Sequence, residues 1–354
     1  MRIAQVAPLY ESVPPKLYGG TERVVHYLTE ELVHRGHEVT LFASGDSTTS
    51  ANLIPACPTA SRLSDENIDS LALHFVMLED VFRVASTFEI IHFHIDYLHF
   101  PMSRRYYAAH VTTLHGRLDI PNLKHLYREF SEMPLVSISN VQRRPIPWAN
   151  WQGTVYHGLP EHLLPYGEGD GGYLAFLGRI SPEKGVDHAI EIAQRVGLPL
   201  KIAAKIEKTD REYFETRIRK LWDSPTIEYV GEIGESDKAE FLGKARALLF
   251  PIDWPEPFGL VMIEAMSCGT PVIAYHGGSV DEVIDDGITG FVVSDIESAV
   301  RAVDRVEEIS RPACRRAFES KFTSTRMADD YMKIYSRLAR STNGVEDVES
   351  VPSE

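Results

Sequence analysis

The sequence predicts an α/β protein of two doubly wound, parallel-sheet domains. Three observations carry that prediction. The chain has 354 residues, 44% of them hydrophobic, which suits two ordinary cores, since domains cluster at roughly 100–200 residues. Short β-rich apolar runs alternate with helical stretches in both halves, as strands joined by crossover helices do. Between the halves, glycine and acidic residues from Pro165 to Gly172 (PYGEGDGG) interrupt the pattern and mark a linker.

In chain order, RIAQVA is a short apolar strand. TERVVHYLTEELVHRG follows as a helix, with Val24, Val25, Leu28 and Leu32 at helical spacing and Gly36 where a helix ends in a left-handed residue. HEVTLFAS, EIIHFH, HVTTLHG, PLVSIS and GTVYHG are further strands. The second half restarts at YLAFLG. VDHAIEIAQRV, REYFETRIRKLW and ESDKAEFLGKA read as helices around the strands LPLKIAAKI, TIEYVG and RALLFP, and TGFVV is a last strand. Each half is thus Rossmann-like, and ligands of such sheets lie outside the carboxyl ends of the strands. The predicted domains are residues 1–166 and 172–323. Residues 324–340 form an amphipathic helix that either packs back on the first domain or serves only as a cap. The acidic tail from 341 to 354 has almost no large apolar residue to repay the entropy of ordering and is expected to be disordered.

Composition narrows the function. A formal charge of −15 argues against nucleic acid as a partner. Cys57, Cys268 and Cys314 form no CxxC, so neither a disulfide framework nor a zinc site is indicated, and a reducing cytoplasm fits. The N-terminal apolar run is too short for a signal peptide, and no run approaches the roughly 18–20 apolar residues of a membrane span. The expectation is a soluble protein, at most peripheral to the inner face of a membrane.

Three loops at strand ends carry the chemistry. In PPKLYGGTERVV, Gly19 and Gly20 let backbone amides approach an anion at the positive end of a helix; the competing reading is an ordinary turn with Thr21 as N-cap. There is no GxGxxG after the first strand, which weighs against a nicotinamide enzyme. In FLGRISPEKGVDHAI, Arg179 and Lys184 suit a diphosphate, one as a planar fork and one as a compact charge. The alternative is a solvated loop in which Glu183 pairs with one of these cations. In WPEPFGLVMIEAMSCGTPVIAY, Glu256 precedes a helix that opens near Phe258, Gly259 and Leu260, and Glu264 lies about one turn inside it. Two such carboxylates fit a metal site, an acid/base pair or a clamp for hydroxyls. With no DxD in the chain, a divalent cation would be short of ligands.

Together these segments resemble the retaining nucleotide-sugar glycosyltransferases of family 4. Glu256 and Glu264 match the family's E-x7-E, GRISPEKG its diphosphate loop and GGTERVV its first-domain glycine loop. The resemblance runs from about residue 1 to about residue 340. It implies the GT-B fold, two facing Rossmann-like domains with an interdomain cleft, and transfer of a hexosyl group from a nucleotide-sugar, UDP-linked by default, to a hydroxyl acceptor without a metal or other cofactor. Glu256 would then hold donor-sugar hydroxyls and Glu264 the ribose. Phe258, Gly259 and Leu260 would offer backbone contacts, and Arg179 and Lys184 would neutralise the diphosphate, which Gly19 and Gly20 approach from the other domain. His115 matches the family's histidine beside the donor sugar, although His92, His94, His99, His110 and His125 crowd the same domain. Lys205 falls at a strand end where the family places further donor contacts, but the usual glycine-rich turn is missing. Rivals are a sugar-nucleotide epimerase or phosphorylase on this fold, and a sugar-binding protein without chemistry. Arg104, Arg105, Tyr106 and Tyr107, with Arg143, Arg144, Trp148 and Trp151, are candidates for a membrane-facing edge toward a lipid-linked acceptor.

Overall fold

A computed structural model describes residues 1–16, 19–63, 68–106, 108–222 and 224–346, with only the backbone for 63 and 341–346. The chain forms two compact units, residues 1–158 with 324–346, and residues 159–323. The division therefore precedes the stretch expected as a linker. Backbone hydrogen bonds explain the difference: Gly167 N donates to Cys268 O, Gly169 N to Gly243 O and Gly171 N to Lys244 O, so these glycines belong to the second unit.

The first unit contains β1 (Arg2–Val6), α1 (Gly20–His34), β2 (Glu38–Ser44), β3 (Asn52–Cys57), α2 (Ser70–Arg83), β4 (Ile90–Phe93), β5 (His110–Thr113), α3 (Leu123–Glu129), β6 (Leu135–Ser137) and β7 (Trp151–Thr154). Its strands pair in parallel in the order β3-β2-β1-β4-β5-β6-β7. Strand β3 is not among the strands expected from sequence. Its Pro55 lacks a ladder donor, which an edge strand tolerates. Successive side chains of β2 serve opposite faces: Phe42 joins Ala4, Val6, Ile91 and Phe93 against Met77 and Val81 of α2, while Leu41 and Ala43 pack with Val25 of α1. The C-terminal helix, Ser324–Glu346, is part of this unit. It buries Tyr331 and Tyr335 completely, and Arg35 ties its Asp329 to α1 at 2.7 Å. Helical backbone thus replaces the disorder expected from 341 as far as Glu346, and 347–354 lie outside the described residues.

The second unit contains β8 (Leu174–Arg179), α4 (Val186–Val196), β9 (Leu200–Lys205), β10 (Ile227–Gly231), α5 (Glu235–Gly243), β11 (Ala247–Phe250), α6 (Leu260–Ser267), β12 (Val272–Tyr275), β13 (Gly290–Val293), α7 (Ile296–Asp304) and α8 (Arg311–Lys321). Its strands are parallel in the order β10-β9-β8-β11-β12-β13. The stretch expected as one regular helix from Arg211 instead runs as an α turn, a π-type segment over Phe214–Ile218 and a 3-10 turn. Ile218 is the one side chain there that is fully buried, so no apolar stripe imposes a regular pitch. In each sheet the strand order reverses once, between β1 and β4 and between β8 and β11.

Gly19 is extended and packed on Pro15, and α1 opens at Gly20 without a side-chain cap, so Thr21 lies inside the first turn instead of capping it. Glu22, also in this turn, is 6% exposed. Burial pushes its carboxyl up to about 7, with Glu11 adding repulsion and Arg62 and backbone donors opposing. A carboxyl raised in the folded state holds a proton that the unfolded chain has already lost. Its contribution to stability is therefore complete below about 4.5 and disappears as pH rises toward 7. Glu22→Gln removes this loss: thermal melts should show the variant gaining on the parent chain from pH 5 to pH 8, by up to about 3 kcal/mol.

Candidate functional site

The two loops leaving the reversal point of the second sheet carry most of the residues singled out from sequence. Strand β8 ends on Arg179, which lies beside Lys205 at the end of β9. The chain then makes a single 3-10 turn over Pro182–Lys184 and enters α4 through Gly185. Gly185 has φ 66°, and a Cβ there would stand 2.0 Å from Pro251 O in the other loop. Asp253 N donates to Glu183 O at 2.9 Å, a second backbone tie between the loops. Only glycine permits this approach, which ties the two loops together through their backbones.

Lys184 Nζ donates to Glu256 Oε2 at 2.5 Å and stands 4.7 Å from the Trp254 ring centre; Trp254 Nε1 donates to the same oxygen at 2.9 Å. Glu256 is buried, and its backbone is held from the loop after β12: Ser279 N donates to Glu256 O, and Gly278 lies so close that a Cβ would meet Glu256 N and O at 2.3 Å. Arg179 is surrounded by carboxylates. It donates to Glu183, lies 3.7 Å from Glu207 and 3.4 Å from Asp210. Burial pushes Asp210 up, Arg179 pulls it down, and Glu183 and Glu207 push it up again, for a net rise. Lys205 Nζ approaches Glu207 at 3.9 Å. The pairing of Glu183 with a cation, weighed as an alternative from sequence, is therefore present, in a cluster with more negative than positive members.

Gly259, at φ 78°, caps α6, whose first residue is Leu260, and a Cβ there would crowd Met262 Cε at 2.8 Å and Phe250 at 3.1 Å. Phe258 is buried against Phe322, and its carbonyl accepts from Ser279 Oγ at 2.8 Å. Glu264 is 4% exposed and receives a hydrogen bond from Lys238 Nζ of α5 at 2.6 Å. Sequence reasoning missed Lys238, because its spacing within α5 is that of any surface lysine. It also missed Trp254 and Gly278. A glycine pair after a strand had already been read as informative at Gly19 and Gly20, and Gly277 and Gly278 show the same signal.

In the first unit, His115 follows β5 and its Nε2 meets His94 Nδ1 at 2.9 Å, with its ring stacked on His157 at 5.3 Å. Burial pushes its pKa down to about 3. His99 is structural, bonded to Ser103 and Thr112 and stacked on Phe93 at 3.7 Å, while His110 bonds Ala108 O. Of the basic and aromatic edge, Arg104 is held by Glu129 and Glu132, and Arg143 lies over Trp151 at 5.3 Å; Tyr107 lies outside the described residues. No helix among the described residues is long and apolar enough to cross a membrane, and no group of three or more His, Cys, Asp or Glu side chains among them gathers as a metal site.

The family description "Glycosyl transferases group 1" matches residues 167–321, and "Glycosyltransferase Family 4" matches 18–151. An uncharacterised protein of the cps region of Klebsiella pneumoniae is 30% identical over 46% of this chain and 45% of its own length. The O-antigen chain mannosyltransferase C of Escherichia coli is 24% identical over 95% of this chain and 99% of its own. The chain spans about half the length of the first two curated relatives it matches, 45% of one and 53% of the other. Among solved structures, Anabaena Alr3699/HepE in complex with UDP and glucose superposes with a TM-score of 0.73 at 16% identity, over 95% of this chain and 99% of that one. The solved structure shares the fold of two parallel α/β sheets that each reverse once, and the two family descriptions, over residues 18–151 and 167–321, place this chain among the glycosyltransferases of family 4.

Proposed function

We propose that this protein is a retaining hexosyltransferase that moves a sugar from a nucleotide diphosphate, UDP by preference, to a hydroxyl acceptor. The observation that carries the reading is the joined pair of loops after β8 and β11, which presents Arg179, Lys184 and Glu256 from locked backbone at the point where the sheet reverses. Support for UDP comes from the neighbouring fold solved with UDP and glucose.

In this reading the donor diphosphate takes over Arg179 and Lys184 from their carboxylates. As the glycosidic bond to phosphate breaks, negative charge grows on the leaving diphosphate, and these cations with the amides opening α6 stabilise it. Glu256, released by Lys184, accepts hydrogen bonds from sugar hydroxyls. Glu264, shared with Lys238, accepts from the ribose. Phe258, Gly259 and Leu260 offer backbone groups, and Lys205 supports the phosphate side. His115 holds a sugar hydroxyl. The leaving phosphate oxygen takes the acceptor's proton on the same face of the sugar, so neither glutamate acts as nucleophile. Charge neutralisation by side chains makes the reaction independent of a metal. The acceptor is a sugar, a small molecule or a lipid-linked glycan, and the reaction is placed in the cytoplasm, where contact with the inner membrane face is compatible with the last of these.

Arg179→Ala and Lys184→Ala should each lower UDP release from UDP-sugars by about 10²–10³ while circular dichroism stays unchanged; near-parental turnover in either would remove the diphosphate role. Lys238→Ala removes the ammonium that bonds the buried Glu264 carboxylate and should cost about 3–5 kcal/mol in denaturant melts. Turnover should persist in EDTA, and a strict requirement for Mn²⁺ would contradict the scheme.

A further inference from the structure

His115 is the outer end of a hydrogen-bonded chain through the core of the first unit. Gln5, the fourth of the five residues of β1 and in register with His92 of β4, is its branch point. Gln5 Nε2 donates to Tyr335 Oη of the C-terminal helix at 3.1 Å, and that hydroxyl meets His92 Nδ1 at 2.6 Å. His92 Nε2 meets Thr113 Oγ1 at 2.7 Å. On the other side, Gln5 Oε1 meets His94 Nε2 at 2.8 Å, and His94 Nδ1 meets His115 Nε2 at 2.9 Å. Gln5, His92, Thr113 and Tyr335 are fully buried and His94 is 3% exposed.

The two ends of an amide are chemically distinct, and this gives the chain a direction. Gln5 Oε1 only accepts, so His94 Nε2 carries the hydrogen. Burial keeps His94 neutral, with its pKa pushed far down by desolvation and by His92 and His115, so its Nδ1 is bare and accepts. His115 Nε2 must then be the donor between them. His115 is neutral as well, which leaves its Nδ1 as a bare lone pair. That atom is buried and meets no hydrogen-bond partner among the described residues. On the other branch, Tyr335 accepts from Gln5 and donates to His92 Nδ1, which requires hydrogen on His92 Nε2 facing Thr113. Both branches follow from the orientation of one amide.

We infer that Gln5 is a positioning residue that fixes His115 as the Nε2–H tautomer, so that Nδ1 accepts a hydrogen bond from a substrate hydroxyl and disfavours a carboxylate or phosphate there. This rests on the proposed role of His115 beside a sugar. It makes His115 an acceptor of a hydroxyl proton and gives it no part as a general acid. Tyr335 connects the C-terminal helix to the same setting, since its hydroxyl holds the nitrogen end of the Gln5 amide.

Long-range ¹H–¹⁵N correlation on histidine-labelled full-length protein reads the tautomer directly, with His115 assigned by its loss in His115→Gln. The expected spectrum has a pyridine-type Nδ1 and a pyrrole-type Nε2 for His115 from pH 6 to 8. The reverse pattern overturns the inference, since it means the amide faces the other way. Gln5→Leu should give a mixture of tautomers and lower kcat/KM about tenfold. An unchanged tautomer in folded Gln5→Leu also overturns it; should that variant not fold, the parental spectrum decides alone. Saturating UDP-glucose should move the Nδ1 resonance where UDP alone does not. Failure of the glycosyl-transfer reading appears separately, as no UDP release with the tautomer intact.

Discussion

A parallel strand cannot turn straight back to pair with its neighbour; it must leave the sheet at its carboxyl end and return through a crossover. Where successive crossovers lie on opposite faces, the loops diverge and the strand ends between them stay open to a ligand. Each sheet meets this condition once, at β1/β4 and at β8/β11. The chemically loaded residues follow from it. Gly19 and Gly20 lie on the connection leaving β1, His94 just beyond β4, Arg179 at the end of β8 with Lys184 beyond it, and Glu256 beyond β11. In the second unit the diverging loops are then pulled together, by Asp253 N on Glu183 O and by the close approach of Gly185 to Pro251. Their charged side chains therefore stand on a rigid base, which is what preorganised stabilisation of a leaving group requires.

The ion pairs at that base are consistent with a binding role. A partly buried cation without a counter-charge is costly, so a site built for an anion needs a resting partner for each of its cations. Glu256 serves Lys184, and Glu183, Glu207 and Asp210 serve Arg179. Burial, with Glu183 and Glu207 adding repulsion, pushes Asp210 upward despite the guanidinium beside it. Replacing one of them by a diphosphate oxygen exchanges one desolvated pair for another. The net cost is smaller than that of desolvating a hydrated cation.

The sequence made the parallel alternation, the two-part division and the loaded loops legible, because each leaves a local signature: apolar period, glycine at a turn, paired cations in one loop. What it concealed is non-local. The boundary at 158/159 depends on backbone bonds from Gly167, Gly169 and Gly171 to residues some seventy to a hundred positions away. The edge strand over Asn52–Cys57 contains a proline that argues against a strand until its edge position is known. The irregular stretch from Arg211 has helix-forming composition and lacks only the buried stripe that would have held it regular. Lys238 carries no mark of its pairing with Glu264, which arises from the packing of α5 beside α6.

The two clusters bury polar groups by different means. That of the second unit uses full charges in pairs, and the chain from Gln5 to His115 in the first uses neutral imidazoles, hydroxyls and one amide. In the first, desolvation pushes His92, His94, His115 and His157 down together, so none offers a proton as a cation near neutral pH. Charge is removed as a variable, and the order of hydrogens along the chain remains. Neighbouring neutral histidines cannot choose tautomers independently, because each shared bond needs one donor and one acceptor. A single group with unlike ends is enough to set the order, and Gln5 is such a group. A network of this kind presents a lone pair to a hydroxyl without burying a charge, which suits a neutral sugar as the paired cations of the second unit suit a diphosphate.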